Sequence, residues 1–337
     1  MSGGVDSSLA AQLLIEQGYE VCGLTMRQFD AGAYSGGGYH DAAADAAKVA
    51  SHLHIPHYIV DTRREFGREV VDCFVSEYAA GRTPNPCVRC NRRIKFDLLL
   101  KKAIELGCDF LATGHYARIE NNILHKGIDI SKDQSYFLYV LYECDISRIL
   151  FPLGALHKSQ TRKQAAQAGL PSASRSESQD ICFIPDNDHA GFLRRKLPMQ
   201  KGPIVDTSGK QIGVHDGLYL YTIGQRKGLG AQGRRMFVKE IHPETNTIVA
   251  ADDEHIVSTN ITVSDFVKGP FDIASGDRFF VQIRYRSSAQ PAIIASIDDN
   301  AVGIAFESPA RAVAPGQAAV IYDNDMIVGG GTIESSS

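Results

Sequence analysis

The chain has 337 residues, a formal net charge of −4 and a pI near 6.3, with 44% hydrophobic and 22% charged side chains. These proportions are those of a soluble globular protein, and the length is too great for one ordinary core, so two or three domains are expected. The charge argues against a surface coated in positive charge, no apolar run reaches the ~20 residues of a membrane span, and no signal-peptide pattern opens the chain, so a cytoplasmic address is expected.

In chain order, residues 7–17 place apolar side chains at helical spacing, with Gly18 as the stop. Residues 20–26 read as a buried strand, 41–53 as a helix and 57–61 as a second strand. A helix over 63–79 precedes a loop over 81–91; a further helix over 92–107 leads into a strand over 109–114. This alternation predicts an α/β fold, a doubly wound parallel sheet covered on both faces. After Pro185 the chain becomes rich in Gly and basic residues. From residue 251 it shows short alternating strands (279–286, 291–297, 301–307, 318–323) that predict a small β-barrel. The last four residues, ESSS, read as a disordered tail. Domains are expected at 1–187, 188–250 and 251–333.

The segment SGGVDSS (2–8) runs straight into the first helix. Gly3 and Gly4 let backbone approach an anion, and the amides of a helix N-terminus favour negative charge. Ser2, Ser7 and Ser8 add hydroxyls, and Asp6 suits a Mg²⁺ ion bound to pyrophosphate. The GK[ST] ending of a Walker A loop is absent. SGGVDSS resembles the PP-loop of ATP pyrophosphatases, which implies substrate adenylation without naming the substrate. A strand ordinarily precedes such a loop, and Met1 already lies inside it, so the first, central strand is expected to be missing.

Seven cysteines at irregular spacing do not form a disulfide framework. Cys87 and Cys90 make a Cys-x-x-Cys in TPNPCVRCN, read as a loop before a helix. Arg89, Arg92, Arg93 and the following helix N-terminus are expected to favour thiolate. Such a motif is open to structural zinc, a redox dithiol or an iron–sulfur ligand, although no second pair completes a zinc site. Cys182 lies in the short run ICFI. Cys22, Cys73, Cys108 and Cys144 read as core residues. Basic clusters occur at Arg89/Arg92/Arg93/Lys95, 194–196, Arg226/Lys227, Arg234/Arg235 and Arg284/Arg286, the last pair alternating on a strand.

SGGVDSS, GRTPNPCVRCNRRIKF, ATGHYARI, KDQSYFLY, ICFI, TIGQRKGLG, RYR and PGQAAVIY follow one another in the order found in the tRNA-specific 2-thiouridylases, and from Met1 to about Ile333 the chain resembles that family. The resemblance implies a PP-loop (HUP-like) domain, a small central tRNA-contacting domain and a C-terminal β-barrel. It implies that Ser2, Gly3, Gly4, Val5, Asp6, Ser7, Met26 and Gly114 hold ATP, and that Cys182 carries a persulfide while Cys90 is the nucleophile that releases its sulfur. It implies that Asn85, Pro86 and Cys87 meet the target base and that His115, Lys132, Asp133, Gln134, Arg284, Tyr285 and Gln317 contact tRNA. Some members carry Asp at position 87. With Cys87 present, three thiolates at Cys87, Cys90 and Cys182 could instead hold a [4Fe–4S] cluster, or Cys87 could be a mere spacer. ATP and Mg²⁺ are the implied cofactors; tRNA and a sulfur donor, either a cysteine desulfurase or a relay protein, are the implied partners. Two rivals stand beside this reading: a PP-loop synthetase for a small molecule, and a non-enzymatic RNA-binding or cluster-carrying protein.

Overall fold

A computed structural model describes residues 1–30, 42–175, 181–184, 187–230, 233–298 and 300–337. The first elements are α1 Val5–Glu16, β1 Gly23–Arg27, α2 Ala42–His52, β2 His57–Asp61, α3 (residues 63–79), α4 (residues 86–105), β3 Leu111–Ala112, β4 Ala117–Glu120, β5 Ile123–Lys126, β6 Ile149–Leu150 and α5 Lys158–Gln167. Then follow α6 His189–Arg194, β7 Gly202–Val205, β8 Gln211–His215, β9 Phe237–His242, β10 Thr247–Ala251, β11 Val257–Lys268, β12 Arg278–Gln282, β13 Gln290–Asp298, β14 Ala301–Arg311, β15 Ala318–Asp323 and β16 Met326–Ser336. The chain forms two compact units: Met1–Val70 with Cys87–Asn187 and Asp325–Ile327, and Val71–Pro86 with Asp188–Asn324 and Val328–Ser337.

The first unit is α/β. α1 buries Val5, Leu9 and Ala10 against Tyr116, Leu153, Ala165 and Leu170. It stops where expected, because Gly18 takes φ +88° and the next amide returns to the Leu14 carbonyl. The parallel strands form two pairs, β1 with β2 and β3 with β6. β4 and β5 form a hairpin whose turn residues Asn121 and Asn122 have φ of 53° and 63°, the left-handed values a tight hairpin needs. Arg118 ties this hairpin to Asp325.

The second unit is β-rich. Four strands in the order β8–β7–β10–β9 enclose Ile204, Leu218, Met236, Val238 and Ile248. Six strands, β11–β14–β13–β12–β15–β16 with β16 back on β11, close the expected barrel. Closure leaves no bare edge, and alternate residues such as Ile261, Val263, Ile294, Ile304 and Ile321 fill the interior.

Three expectations are corrected. The segment ESSS is not a loose tail: Glu334, Ser335 and Ser336 belong to β16, and the Ser337 carbonyl accepts from the amides of Thr259 (2.7 Å) and Asn260 (2.9 Å). Arg284 and Arg286 do not alternate on a strand, since β12 ends at Gln282 and both lie in the turn that follows. Cys87 and Cys90 do not precede a helix but lie inside one, Pro86–Cys90, where Pro86 occupies the first-turn position that needs no N–H donor. Pro185, at which the sequence pattern changes, is outside the described residues.

Candidate active site

The phosphate-loop residues gather as the motif requires. Gly3 has φ +69°, and a Cβ there would lie 2.7 Å from Asp45 Cβ, so only glycine fits. Arg175 fixes the turn by donating to the Gly3 carbonyl (2.7 Å) and pairing with Asp45 (3.1 Å). Gly4 caps α1 in an extended conformation, leaving first-turn amides at a helix start. The Ser2 amide donates to Ser7 Oγ (3.1 Å). Ser8 is not available to a ligand, because it is fully buried and its hydroxyl bonds the Gly4 carbonyl (2.8 Å). Val5 turns its side chain into the core, so only its backbone faces the loop's task.

Asp6 is held by two groups that sequence reasoning missed. Lys158 Nζ lies 2.6 and 2.7 Å from the two Asp6 oxygens, and the Tyr116 hydroxyl donates to Asp6 Oδ1 (3.0 Å). Lys158 is buried, with its ammonium 5.4 Å from the Tyr116 ring centre. A lone Lys opening a polar helix looks in sequence like a surface residue. Gly114 packs directly on the loop: an added Cβ would stand 2.7 Å from the Asp6 carbonyl carbon and 2.9 Å from the Ser7 nitrogen. Met26 lies at the carboxyl end of β1, the edge where open α/β sheets take ligands.

The cysteines reach the same edge. Cys90 is buried, and Gln28, two residues past Met26, points Nε2 at its sulfur (4.0 Å). Cys182 is carried on a short turn closed by the Ile184 amide on the Ile181 carbonyl (2.8 Å). Phe183 is buried beside it against Phe66 (ring centres 5.9 Å). Ser178, Gln179, Asp180 and Pro185, which flank this turn, are outside the described residues. Cys87 and Cys182 present exposed surface yet are closely surrounded by protein.

The expected thiolate-favouring field is corrected. Burial raises the Cys87 thiol, pushes Cys90 up to about 11, and with the neighbouring Cys90 and Cys87 pushes Cys182 up to about 12. Arg89 and Arg92 do not supply the opposing charge, because they pair with Glu69 (3.0 Å) and Glu143. Lys95 does: its charge is the largest influence lowering each of the three thiols. Among the described residues no group of three His, Cys, Asp or Glu is set to hold a metal ion, so the arrangement lends the cluster expectation no support. No cysteine is in a disulfide, and Cys22, Cys73, Cys108 and Cys144 are partly buried rather than deep core.

His115 sits after β3, its Nδ1 2.6 Å from Thr113 Oγ1 and its Nε2 3.3 Å from Lys95 Nζ. Burial, then the Lys95 charge, keeps it well below the ordinary imidazole value and therefore neutral. Lys132, Asp133 and Gln134 precede a short 3₁₀ turn. Asp133 accepts from the Gly127 amide (2.8 Å) and the Ser135 hydroxyl (2.7 Å), while Gln134 accepts from the Tyr116 amide (3.0 Å). Both therefore have structural work, and Lys132 is partly exposed.

In the second unit, Gln317 Nε2 donates to the carbonyls of Thr83 (2.9 Å) and Pro84 (3.4 Å), anchoring the stretch that leads to Asn85 and Pro86. Arg284 donates to the Arg311 carbonyl (3.1 Å), and the Tyr285 carbonyl accepts from Gln282 (2.8 Å). A basic cleft of about 330 Å³ is lined by Arg226, Arg234, Arg235, Leu229 and Met236.

Comparison with known proteins finds matches along nearly the whole chain. Residues 1–186 match the tRNA methyl transferase HUP domain, 190–252 the tRNA methyl transferase PRC-barrel domain and 261–333 the aminomethyltransferase β-barrel domain. The chain is 47% identical to the tRNA-specific 2-thiouridylase MnmA of Carboxydothermus hydrogenoformans, over 99% of this chain and 96% of that protein. It is 46% identical to the protein of the same name from Heliobacterium modesticaldum, over 99% of this chain and 91% of the other. The Cytophaga hutchinsonii protein of that name is 43% identical, over 100% of this chain and 96% of its own length. With a phosphate loop, a buried Cys-x-x-Cys thiol at the same sheet edge and full-length identity of this order, the chain belongs to the tRNA-specific 2-thiouridylases, a family of tRNA-modifying sulfurtransferase enzymes.

Proposed function

We propose that this chain is an ATP-dependent enzyme that adenylates the 2-oxygen of a tRNA wobble uridine and replaces it with sulfur carried as a persulfide on Cys182. The observation that supports the reading is the convergence of two chemistries on one sheet edge: Gly114 lies against Asp6 and Ser7, and Cys90 lies against Gln28 just beyond Met26.

A carbonyl oxygen is a poor leaving group, and adenylation turns it into one. The uridine O2 attacks the α-phosphorus of ATP, an O–P bond forms, and pyrophosphate departs with the electron pair. The α1 amides oppose the charge on the phosphates. Asp6 is the one loop carboxylate and Lys158 engages both its oxygens, so Mg²⁺ would be held chiefly by pyrophosphate, where it would neutralise developing phosphate charge. The outer persulfide sulfur on Cys182 then attacks C2 and AMP leaves. Cys90 attacks the Cys182 sulfur, the S–S bond breaks, and its electron pair stays on the sulfur now at C2. The products are 2-thiouridine and a Cys90–Cys182 disulfide. A dithiol reductant resets the disulfide, and a cysteine desulfurase or relay protein recharges Cys182.

In this reading residues 1–187 run the ATP and sulfur chemistry, while 188–250 and the barrel of 251–333 grip tRNA through the Arg226/Arg234/Arg235 cleft, Arg284, Tyr285 and Gln317. Asn85, Pro86 and Cys87 meet the base, and His115, Lys132, Asp133 and Gln134 contact tRNA. A cytoplasmic address, with the substrate tRNA, follows from this; no helix of the described residues is long and apolar enough to cross a membrane. The test is thiolation of unmodified tRNA with ATP, Mg²⁺ and a persulfide donor, read as 2-thiouridine by mass spectrometry. Product is expected from the parent and from Cys87→Ala, and none from Cys90→Ala or Cys182→Ala. Undiminished product from Cys182→Ala would overturn the persulfide route.

A further inference from the structure

We infer that Gln317, on the turn before β15, is a positioning residue for the target base: it holds the backbone of Thr83 and Pro84 and so sets how Asn85 and Pro86 are presented. The base-meeting role of Asn85 and Pro86 is that of the proposed function, on which this inference rests.

The segment Thr83–Pro84–Asn85–Pro86 cannot fix itself. Pro84 and Pro86 have no N–H to donate, and each drives the residue before it towards extended backbone. Residues 82–85 accordingly belong to no helix or strand, and their backbone groups must find partners elsewhere. The barrel supplies them. The Thr83 amide donates to the Pro315 carbonyl (2.8 Å), and Gln317 Nε2 donates to the Thr83 carbonyl (2.9 Å) and the Pro84 carbonyl (3.4 Å). Both partners of that side chain are acceptors, so its nitrogen and not its oxygen must face them. The two N–H bonds of one amide thus span two successive carbonyls, leaving the amide oxygen for tRNA.

The turn that carries Gln317 is itself rigid. Ala314 to Gln317 form a tight turn closed by the Gln317 amide on the Ala314 carbonyl (3.2 Å), with Pro315 second and Gly316 third at φ +91°. Proline then glycine at these positions is what a type II turn needs. Its far side is pinned to β16 by the Gly316 amide on the Ile333 carbonyl and the Ile333 amide on the Gln317 carbonyl, each 2.8 Å. Gly316 also lets the backbones meet, since a Cβ there would lie 3.0 Å from the nitrogen, carbonyl carbon and oxygen of Thr83. Either side of this contact the segment is fastened again. Arg82 places two nitrogens on the Glu334 carboxylate (3.0 and 3.1 Å), and the Thr83 hydroxyl bonds that of Thr222.

The first test is hydrogen–deuterium exchange of the free full-length protein. In Gln317→Leu the peptide holding Thr83 is expected to exchange about tenfold faster, with peptides of β13 and β14 unchanged. Gln317→Glu keeps the length but cannot donate, and is expected to behave like Gln317→Leu. The second test is pyrophosphate release from ATP with unmodified tRNA. The rate at saturating tRNA is expected to fall about 10- to 100-fold in both variants, with the tRNA Kd from filter binding within about threefold of the parent. A residue that only grips tRNA would do the reverse, raising Kd and sparing the saturating rate. That result, or parental exchange at Thr83 in both variants, would overturn the inference. Where Gln317→Leu does not fold, Gln317→Asn makes the same comparison with an amide one methylene too short. A parent that releases no pyrophosphate with tRNA would instead overturn the proposed function and with it the effect on rate, while exchange decides the anchoring by itself.

Discussion

Replacing Gly114 by alanine tests whether the phosphate loop is set by contact with the segment after β3. The new Cβ would stand 2.7 Å from the Asp6 carbonyl carbon, 2.9 Å from Asp6 Cβ and 2.9 Å from the Ser7 nitrogen, about 0.7 Å inside the shortest ordinary contact of 3.4 Å. Two of these three atoms are backbone, so no side chain can swing aside, and either the loop or the Gly114 segment must move by most of that distance. Overpacking of this kind costs roughly 1–3 kcal/mol of stability. A displacement approaching 1 Å in a positioning element costs on the order of 10²-fold in rate. Pyrophosphate release from ATP with unmodified tRNA is therefore expected to fall 10- to 100-fold (about 1.4 kcal/mol of barrier per decade), with a melting temperature lower by only a few degrees. Gly67→Ala is the control, since its Cβ meets nothing within 4 Å and its φ of −55° suits alanine; activity there should be unchanged. Parental kcat/KM for ATP in Gly114→Ala, or equal damage in Gly67→Ala, would refute the reasoning.

Two further outcomes follow from the same geometry. Lys158→Met leaves the Asp6 carboxylate without its cation, and because the lysine is buried while Asp6 is one-third exposed, the cost is expected between surface and buried pairs, roughly 1–3 kcal/mol. Melting temperatures of Lys158→Met, Asp6→Asn and the double variant should be clearly non-additive; additivity would show no coupling. Burial holds His115 and His215 below the ordinary imidazole value of 6.5, so the unfolded chain takes up protons there first. Their contribution to stability is complete above pH 6.5 and is lost as pH falls below it. Melting temperature should drop between pH 7 and 5, and less steeply in a His115→Gln/His215→Gln protein; equal slopes would contradict the assignment.

Local periodicity made much of the architecture legible. α1 and its Gly18 stop, β1, β2 and the barrel strands follow from apolar spacing and turn residues, because those elements bury one face and end where the backbone requires it. The phosphate loop was legible for the same reason: Gly3 and Gly4 ahead of a helix are a local arrangement of backbone. What was not legible depended on neighbours distant in sequence. The polar tail ESSS is ordered because β11 supplies its hydrogen-bond partners, which no property of serine announces. The arginines around Cys90 looked like the source of thiolate character, yet Glu69 and Glu143 claim two of them.

By itself the sequence determined which residues could carry the chemistry: the glycines and Asp6 of the loop, the paired cysteines and Cys182, each recognisable from residue type and local spacing. Tertiary structure alone decided their state, because charge and protonation depend on what surrounds a group rather than on what precedes it in the chain. Close packing raises the three thiols above their ordinary range, Lys158 and Tyr116 occupy Asp6, and the missing side chain at Gly114 lets two segments more than a hundred residues apart meet at the phosphate loop.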